Sequence, residues 1–281
     1  MSIITEAMRK AALQRSSSSS AGSMTGSSIP PMPRRTRARP QSVTRAENSD
    51  AVMRFQTATL DPAAMLANKV LPQLTDRPAR RGYKILRTRV LQKLEANQWR
   101  SFAVTGTDTG AGKTLTAVNL ALALAQDPNT WVFLVDIDLQ RPKVGTTLGM
   151  TFARGLTDYL LGDATFDEVI YHPGIDRLAV VPNSRPIEQS SELLSSPRMH
   201  EFITSLEAEV PRRVIVYDAP PLMVSDDVMA VAPQVDGVLM VATQGVTSRA
   251  TLERAKDVLA DMNVLGVVLN RSSERDDSPY Y

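Results

Sequence analysis

Cysteine is absent from all 281 residues, which excludes a disulfide framework, a thiolate nucleophile and any cysteine-held zinc or iron–sulfur centre. Histidine occurs only twice, at His172 and His200, too sparsely for a multi-histidine metal site. No apolar run approaches the roughly 18–20 residues that cross a bilayer, and the N-terminus has no signal-peptide apolar core, so a soluble, cytoplasmic chain is expected. Acidic residues are scarce at first: the first hundred positions hold 18 Lys and Arg against 6 Asp and Glu, and the remainder 14 against 24. The formal net charge of +2 is therefore a near-cancellation between a basic front and an acidic body. With 43% hydrophobic residues, the chain has enough apolar material for a self-sufficient core.

The front and the body differ in pattern as well as charge. Residues 2–14 place Ile4, Ala7, Met8 and Ala11 on one face of a short amphipathic helix. A serine tract and a Pro/Arg-rich run follow, and Arg15 to about Asp50 reads as a flexible tether that buries too little apolar surface to order itself. Residues 51–76 hold scattered apolar positions such as Val52, Phe55, Leu60, Met65 and Leu71 without a period, which leaves their structure undecided. The expected organisation is thus a region 1–76 with a helix and a tether, and a domain 77–281. A basic amphipathic helix over Arg77–Ala96 opens that domain, its stripe formed by Tyr83, Leu86, Val90, Leu91 and Leu94. Short apolar strands then alternate with helices, with strands expected at Ser101–Thr105, Trp131–Val135, Arg177–Val181, Arg213–Tyr217, Gly237–Ala242 and Leu265–Leu269. This is the pattern of an α/β fold, a mainly parallel sheet with helices on both faces, whose ligands bind at the carboxyl ends of the strands.

At the first of those ends stands GTDTGAGKT, Gly106 to Thr114, between an apolar strand and an apolar helix. In that context GxxxxGK[ST] is a phosphate loop: Thr107, Asp108, Thr109, Gly110, Ala111 and Gly112 wrap the phosphates with backbone N–H groups, Lys113 approaches the β/γ oxygens, Thr114 ligates magnesium, and Leu115 continues the helix beside them. Thr107 occupies the usual first glycine position. The next strand delivers Asp136 and Asp138 from VDIDLQRP, two residues apart and so on one side of an extended chain. A later one, RVIVYDAPP, ends in Asp218, the arrangement of a carboxylate that holds magnesium. A single aspartate after a strand is commonly a turn or helix cap. Three at the same edge point to ATP with Mg2+.

From about Arg77 to Arg271 the chain resembles the bacterial tyrosine kinases of capsule and exopolysaccharide synthesis, a P-loop family related to the deviant-Walker ATPases. DIDLQRP resembles the family's DxDxRRP with Gln140 at the first arginine. SELLSSPRM, Ser191 to Met199, resembles NPxELL, and DAPPLMVSDD resembles DTPPxxxxxD, which matches Asp218 and Asp227. The stretch VDGVLMVATQGVTSRATLERAKDVLADMNVLGVVLNR is similar throughout. The resemblance implies an ATP-dependent tyrosine autokinase that regulates polysaccharide polymerisation and export. Lys113, Asp136 and Asp138 would be catalytic, with Asp136 as base and Asp138 positioning metal or acceptor. Thr114, Asp138 and Asp218 would hold the metal, Asn270 with Arg271 the adenine side, and Tyr280 and Tyr281 the incoming phosphate. It departs at the helix motif ExxRxxR, read here as Arg81, Lys84 and Arg87, which puts ring-type homo-oligomerisation in question.

Three other readings compete. A partition-type ATPase needs a lysine where Asp108 stands. Dethiobiotin synthetase shares TGTDTGxGKT but follows it with KPxxSG, absent here. The third is an ATP-binding regulatory or scaffold subunit without kinase activity. The basic front contains Phe55 but no array of stacking aromatics, so no nucleic-acid partner is expected. The resemblance implies a separate chain-length-determining membrane protein as partner, and hence a peripheral location at the inner membrane reached through it.

Overall fold

The computed structural model of the chain describes residues 55–183 and 185–272. The expected helix at residues 2–14, the tether, and Tyr280 and Tyr281 lie outside them. All six expected strands form, and each starts and ends within about a residue of expectation: β2 (Ser101–Gly106), β3 (Trp131–Asp136), β5 (Leu178–Val181), β6 (Arg213–Asp218), β7 (Gly237–Thr243) and β8 (Val264–Asn270). Two short strands, β1 (Gln56–Thr57) and β4 (Tyr171–His172), complete a sheet of order β1-β4-β5-β3-β6-β2-β7-β8. Its neighbours pair in parallel except β4 with β5.

The strands are continuous apolar runs because both faces are covered. Successive residues point to opposite faces, so Phe102 and Val104 of β2 enter one core while Ala103 enters the other. The first core takes α2 (Arg77–Asn97) and α3 (Lys113–Leu124), the second α5 (Leu156–Leu161), α7 (Pro197–Glu209), α8 (Asp227–Val231) and α9 (Arg249–Val258). Three short helices, α1 (Pro62–Ala67), α4 (Val144–Leu148) and α6 (Ser190–Leu194), cap the connections. Helix α3 is buried from Thr116 to Leu124 because α2 covers the face that the sheet does not; a helix apolar all round needs such a second layer. Tyr83 and Arg87 of α2 reach it, the Arg87 guanidinium donating to the Ala123 carbonyl at 3.4 Å.

The folded part begins before Arg77, where the sequence pattern draws its boundary. Phe55 packs edge-on against Phe133 with ring centroids 6.2 Å apart, β1 pairs with β4, and Met65, Val70, Leu71 and Leu74 are buried in the α2–α3 core. These residues follow no period because they wrap over elements distant in sequence instead of forming one face of their own. Asn119, wholly buried in α3, fastens them: its Oδ1 accepts from the Leu71 N–H at 2.7 Å and its Nδ2 donates to the Lys69 carbonyl at 3.1 Å. Asn119→Ala strands both backbone groups, and the expected cost is about 2 kcal/mol, measured by urea unfolding. Faster tryptic cleavage after exposed Lys69 would accompany it.

Candidate nucleotide site

The β2–α3 loop is shaped by glycine. Gly110 and Gly112 take positive φ, +79° and +89°, which side chains disfavour. A Cβ on Gly112 would also run into the Asn270 side-chain amide. Helix α3 starts directly at Lys113 with its first backbone N–H groups facing the loop, the arrangement that favours a bound anion. The loop is braced from β8: Asn270 Nδ2 donates to the Ala111 carbonyl at 2.8 Å and Arg271 Nη2 to the Gly110 carbonyl at 3.1 Å. The Asn270 Oδ1 accepts from the Arg271 N–H at 2.8 Å. Each end of the Asn270 amide makes one hydrogen bond within the protein, so this geometry makes it a brace of the phosphate loop and leaves one Nδ2 hydrogen and one Oδ1 lone pair for a base.

Strand register brings the acidic residues to the same edge. Asp136 and Asp218 are direct partners across β3 and β6, and Val104 of β2 pairs with Asp218 on its other side. The β6–α8 loop is tied to the phosphate loop by the Leu222 N–H, which donates to the Gly106 carbonyl at 2.8 Å, and by Thr105 Oγ1, which donates to the Pro220 carbonyl at 2.6 Å. Between these loops opens a cleft of about 260 Å³ lined by Thr109, Gly110, Gly112, Lys113, Thr114, Leu115 and Asp138, and also by Gln140, Arg141, Lys143 and the Pro220–Pro221 pair. Thr107 and Ala111 are buried on the loop's inner side, where Thr107 Oγ1 donates to Asp108 Oδ2 at 2.7 Å.

The two aspartates of DIDLQRP take different positions. Asp136 is wholly buried and does not line the cleft. Its Oδ2 accepts from the Lys143 and Val144 N–H groups at 3.0 and 2.9 Å, and its Oδ1 from the Asp138 N–H at 3.3 Å. It thereby caps α4 from a distance, and the assignment of Asp136 as base gains nothing from the geometry. Asp138 is the carboxylate that reaches the cleft, with one oxygen accepting from the Arg141 N–H at 3.1 Å.

Electrostatics follow from burial. Desolvation lowers the Lys113 pKa, opposed by Asp218 and Asp138. It raises Asp136 well above the usual carboxylate range, with Asp218 adding repulsion, and raises Asp138 against the opposing Arg141 N–H and Lys113. Asp218 is 1% exposed and pushed up to about 7, first by desolvation; the Thr114 hydroxyl is near enough to pull it partly back. Even so, neither Asp218 oxygen has a partner at hydrogen-bond distance and angle. An orphaned buried carboxylate beside a buried lysine is suited to a cation arriving with an anionic ligand. No three His, Asp or Glu among the described residues form a metal cluster of their own, which fits an ion shared with phosphate oxygens.

Residues 102–280 match the family model of the CobQ/CobB/MinD/ParA nucleotide binding domain. The chain belongs to this family. Within it, the chain is 29% identical over 203 residues to tyrosine-protein kinase YwqD of Bacillus subtilis (strain 168), a match covering 71% of this chain and 84% of YwqD. The kinase domain of Escherichia coli tyrosine kinase ETK superposes with a TM-score of 0.65 at 25% identity, over 73% of this chain and 81% of that one. The VpsO kinase domain does so with a TM-score of 0.62 at 27% identity, over 69% and 97%.

Against this family background, Lys143 is a cleft residue that sequence reasoning passed over, and Gln140 one that it noted only as a departure from the motif. The available signal was their place in a motif-bearing loop, immediately around Arg141 and Pro142. The Asp218 penalty has a measurable consequence in the ligand-free protein. Its folded pKa lies above the unfolded value, so the wild type loses stability as pH rises from about 4 to 7 and carries the full penalty above 7. Asp218→Asn is expected to be more stable than wild type at pH 8, by about 4 kcal/mol at most, and so to melt higher there, and to differ little at pH 4. Equal melting temperatures at pH 8 would contradict the buried, uncompensated charge.

Proposed function

We propose that the chain is an ATP- and magnesium-dependent protein-tyrosine autokinase of a capsule or exopolysaccharide system. The single observation that carries the nucleotide part is buried Lys113 at the head of α3, after a glycine-shaped loop and within electrostatic reach of the orphaned Asp218 carboxylate. The tyrosine part rests on the named relatives and on the motif order from Arg77 to Arg271.

In this reading Thr114 and Asp218 hold the ion, Lys113 neutralises charge on the phosphates, and the loop amides orient them. Magnesium-bound ATP supplies the phosphoryl group. Asp138, the carboxylate lining the cleft, takes the proton as the tyrosine oxygen forms its bond to the γ-phosphorus and the bond to the departing ADP oxygen breaks. Catalysis of this kind is positioning plus electrostatic stabilisation. Tyr280 and Tyr281 are the proposed acceptors. Association with the inner membrane would be indirect, through a chain-length-determining membrane protein; no helix of the described residues is long and apolar enough to cross a membrane. The specific feature favouring a regulatory subunit instead is Arg81, which stands where the kinase motif ExxRxxR begins with an acid.

Lys113→Met is expected to abolish autophosphorylation while leaving the circular dichroism spectrum unchanged; persistence of phosphotyrosine would take this site out of the chemistry. Replacing Tyr280 and Tyr281 together by Phe separates the kinase from the regulatory reading. Phosphotyrosine mapped by mass spectrometry should vanish from the tail, and an unchanged amount would mean that other residues are the acceptors.

A further inference from the structure

Part of the wall of the cleft that Lys113 lines is built by the loop after β3, and its charges differ from what the motif resemblance implies. At 140 the resemblance implies arginine, and the chain has glutamine. The Gln140 side chain is turned aside: its Nε2 donates to Ser190 Oγ at 2.9 Å, and Ser190 Oγ donates to Asp227 Oδ1 at 2.7 Å. Ser190 is 1% exposed and Asp227 fully buried, so this is an internal tie between the β3–α4 loop, α6 and α8. Gln140 therefore brings no positive charge to the nucleotide side.

Three residues on, Lys143 lines the same cleft. It occupies the N-cap of α4, where an oxygen-bearing side chain would cap and a lysine cannot. The capping is done by Asp136, which accepts from both the Lys143 and Val144 N–H groups. The backbone at 143 is thus pinned to the strand edge by a buried carboxylate, and among the described residues its side chain makes no hydrogen bond. Its charge acts on all three groups around the phosphate end of the site, opposing Lys113 and favouring ionised Asp138 and Asp218. Arg141 also lines the cleft, but its backbone N–H serves Asp138.

We infer that Lys143 is a second phosphate-binding cation of the cleft, supplied in cis from the β3–α4 loop, which contacts the terminal phosphate of a bound nucleoside triphosphate. The inference rests on the nucleotide reading above and is independent of whether tyrosine is the acceptor. Chemically, the site would bind a nucleotide's last phosphate with two ammonium groups, Lys113 from the helix and Lys143 from the β3–α4 loop. It would lose one of them when that phosphate is absent. The second ammonium, which partition-type ATPases place at the position of Asp108 to reach across a dimer, would here come from the same chain by another route.

The test is calorimetric titration of the full chain with magnesium, using ADP and a non-hydrolysable ATP analogue, for wild type, Lys143→Met and Lys143→Arg. Loss of one charge-assisted contact should weaken binding of the triphosphate by about tenfold or more, with ADP within about twofold of wild type. Lys143→Arg should retain most of the preference for triphosphate. Because the Lys143 side chain is exposed, all three proteins should melt together. Equal affinities of Lys143→Met and wild type for the triphosphate, or an equal loss for both nucleotides, would overturn the inference. Wild type binding neither nucleotide would remove the nucleotide reading and this inference with it. Intact discrimination without any phosphotyrosine would count against the kinase reading alone.

Discussion

A buried lysine facing more buried carboxylate than it can neutralise governs the site. Lys113 is drawn toward its neutral form by desolvation, while Asp136 and Asp218 sit side by side at the ends of neighbouring parallel strands, both inaccessible to water. Burying ionisable groups without full pairing costs stability, and at Asp218 the nearby Thr114 hydroxyl offsets only part of it. Such a deficit is tolerable where a ligand supplies the missing charge. A divalent ion travelling with a polyphosphate supplies both signs, the cation for the carboxylate and the anion for the lysine and the loop amides.

The fold's task is to hold these groups in place, and most of the polar hydrogen bonds near the cleft serve that purpose. Asp136 anchors the start of α4, Asn270 and Arg271 brace the glycine loop from β8, and the Pro220 carbonyl and Leu222 N–H bind the β6–α8 loop to β2. Each brace comes from a different strand end. The carboxyl edge of the parallel sheet thereby acts as one rigid rim, with Asp138, Lys113 and Thr114 facing the cleft from it. Preorganisation of this kind is what phosphoryl transfer asks of a protein.

Much of this was legible in the sequence. The six main strands stand where short apolar runs placed them and helix α2 where its apolar stripe did, because strands buried on both faces write themselves as unbroken apolar runs bounded by turns. Lys113, Thr114, Asp138 and Asp218 gather at one edge as the motif order implied. What the sequence hid was set by tertiary contact. Residues 55–76 have no period because Asn119, Phe133 and Tyr171–His172, far along the chain, hold them. The division of labour between Asp136 and Asp218 was equally invisible: both end an apolar strand, yet only Asp136 finds backbone amides within reach. Nor did the motif show that Asn270 also braces the phosphate loop, since Gly112 brings the backbone close enough for its amide to reach Ala111.

The central claim is that the charge deficit around Asp218 is completed by a magnesium-bound nucleotide. It is tested most directly by the melting temperature of the purified full chain at pH 8 with ATP or ADP, each with and without magnesium. Nucleotide at about a hundred times its dissociation constant should add about 2.7 kcal/mol of stability, a rise of a few degrees, and most of that rise should require the metal. A melting temperature unmoved by millimolar nucleotide and magnesium together would contradict the account.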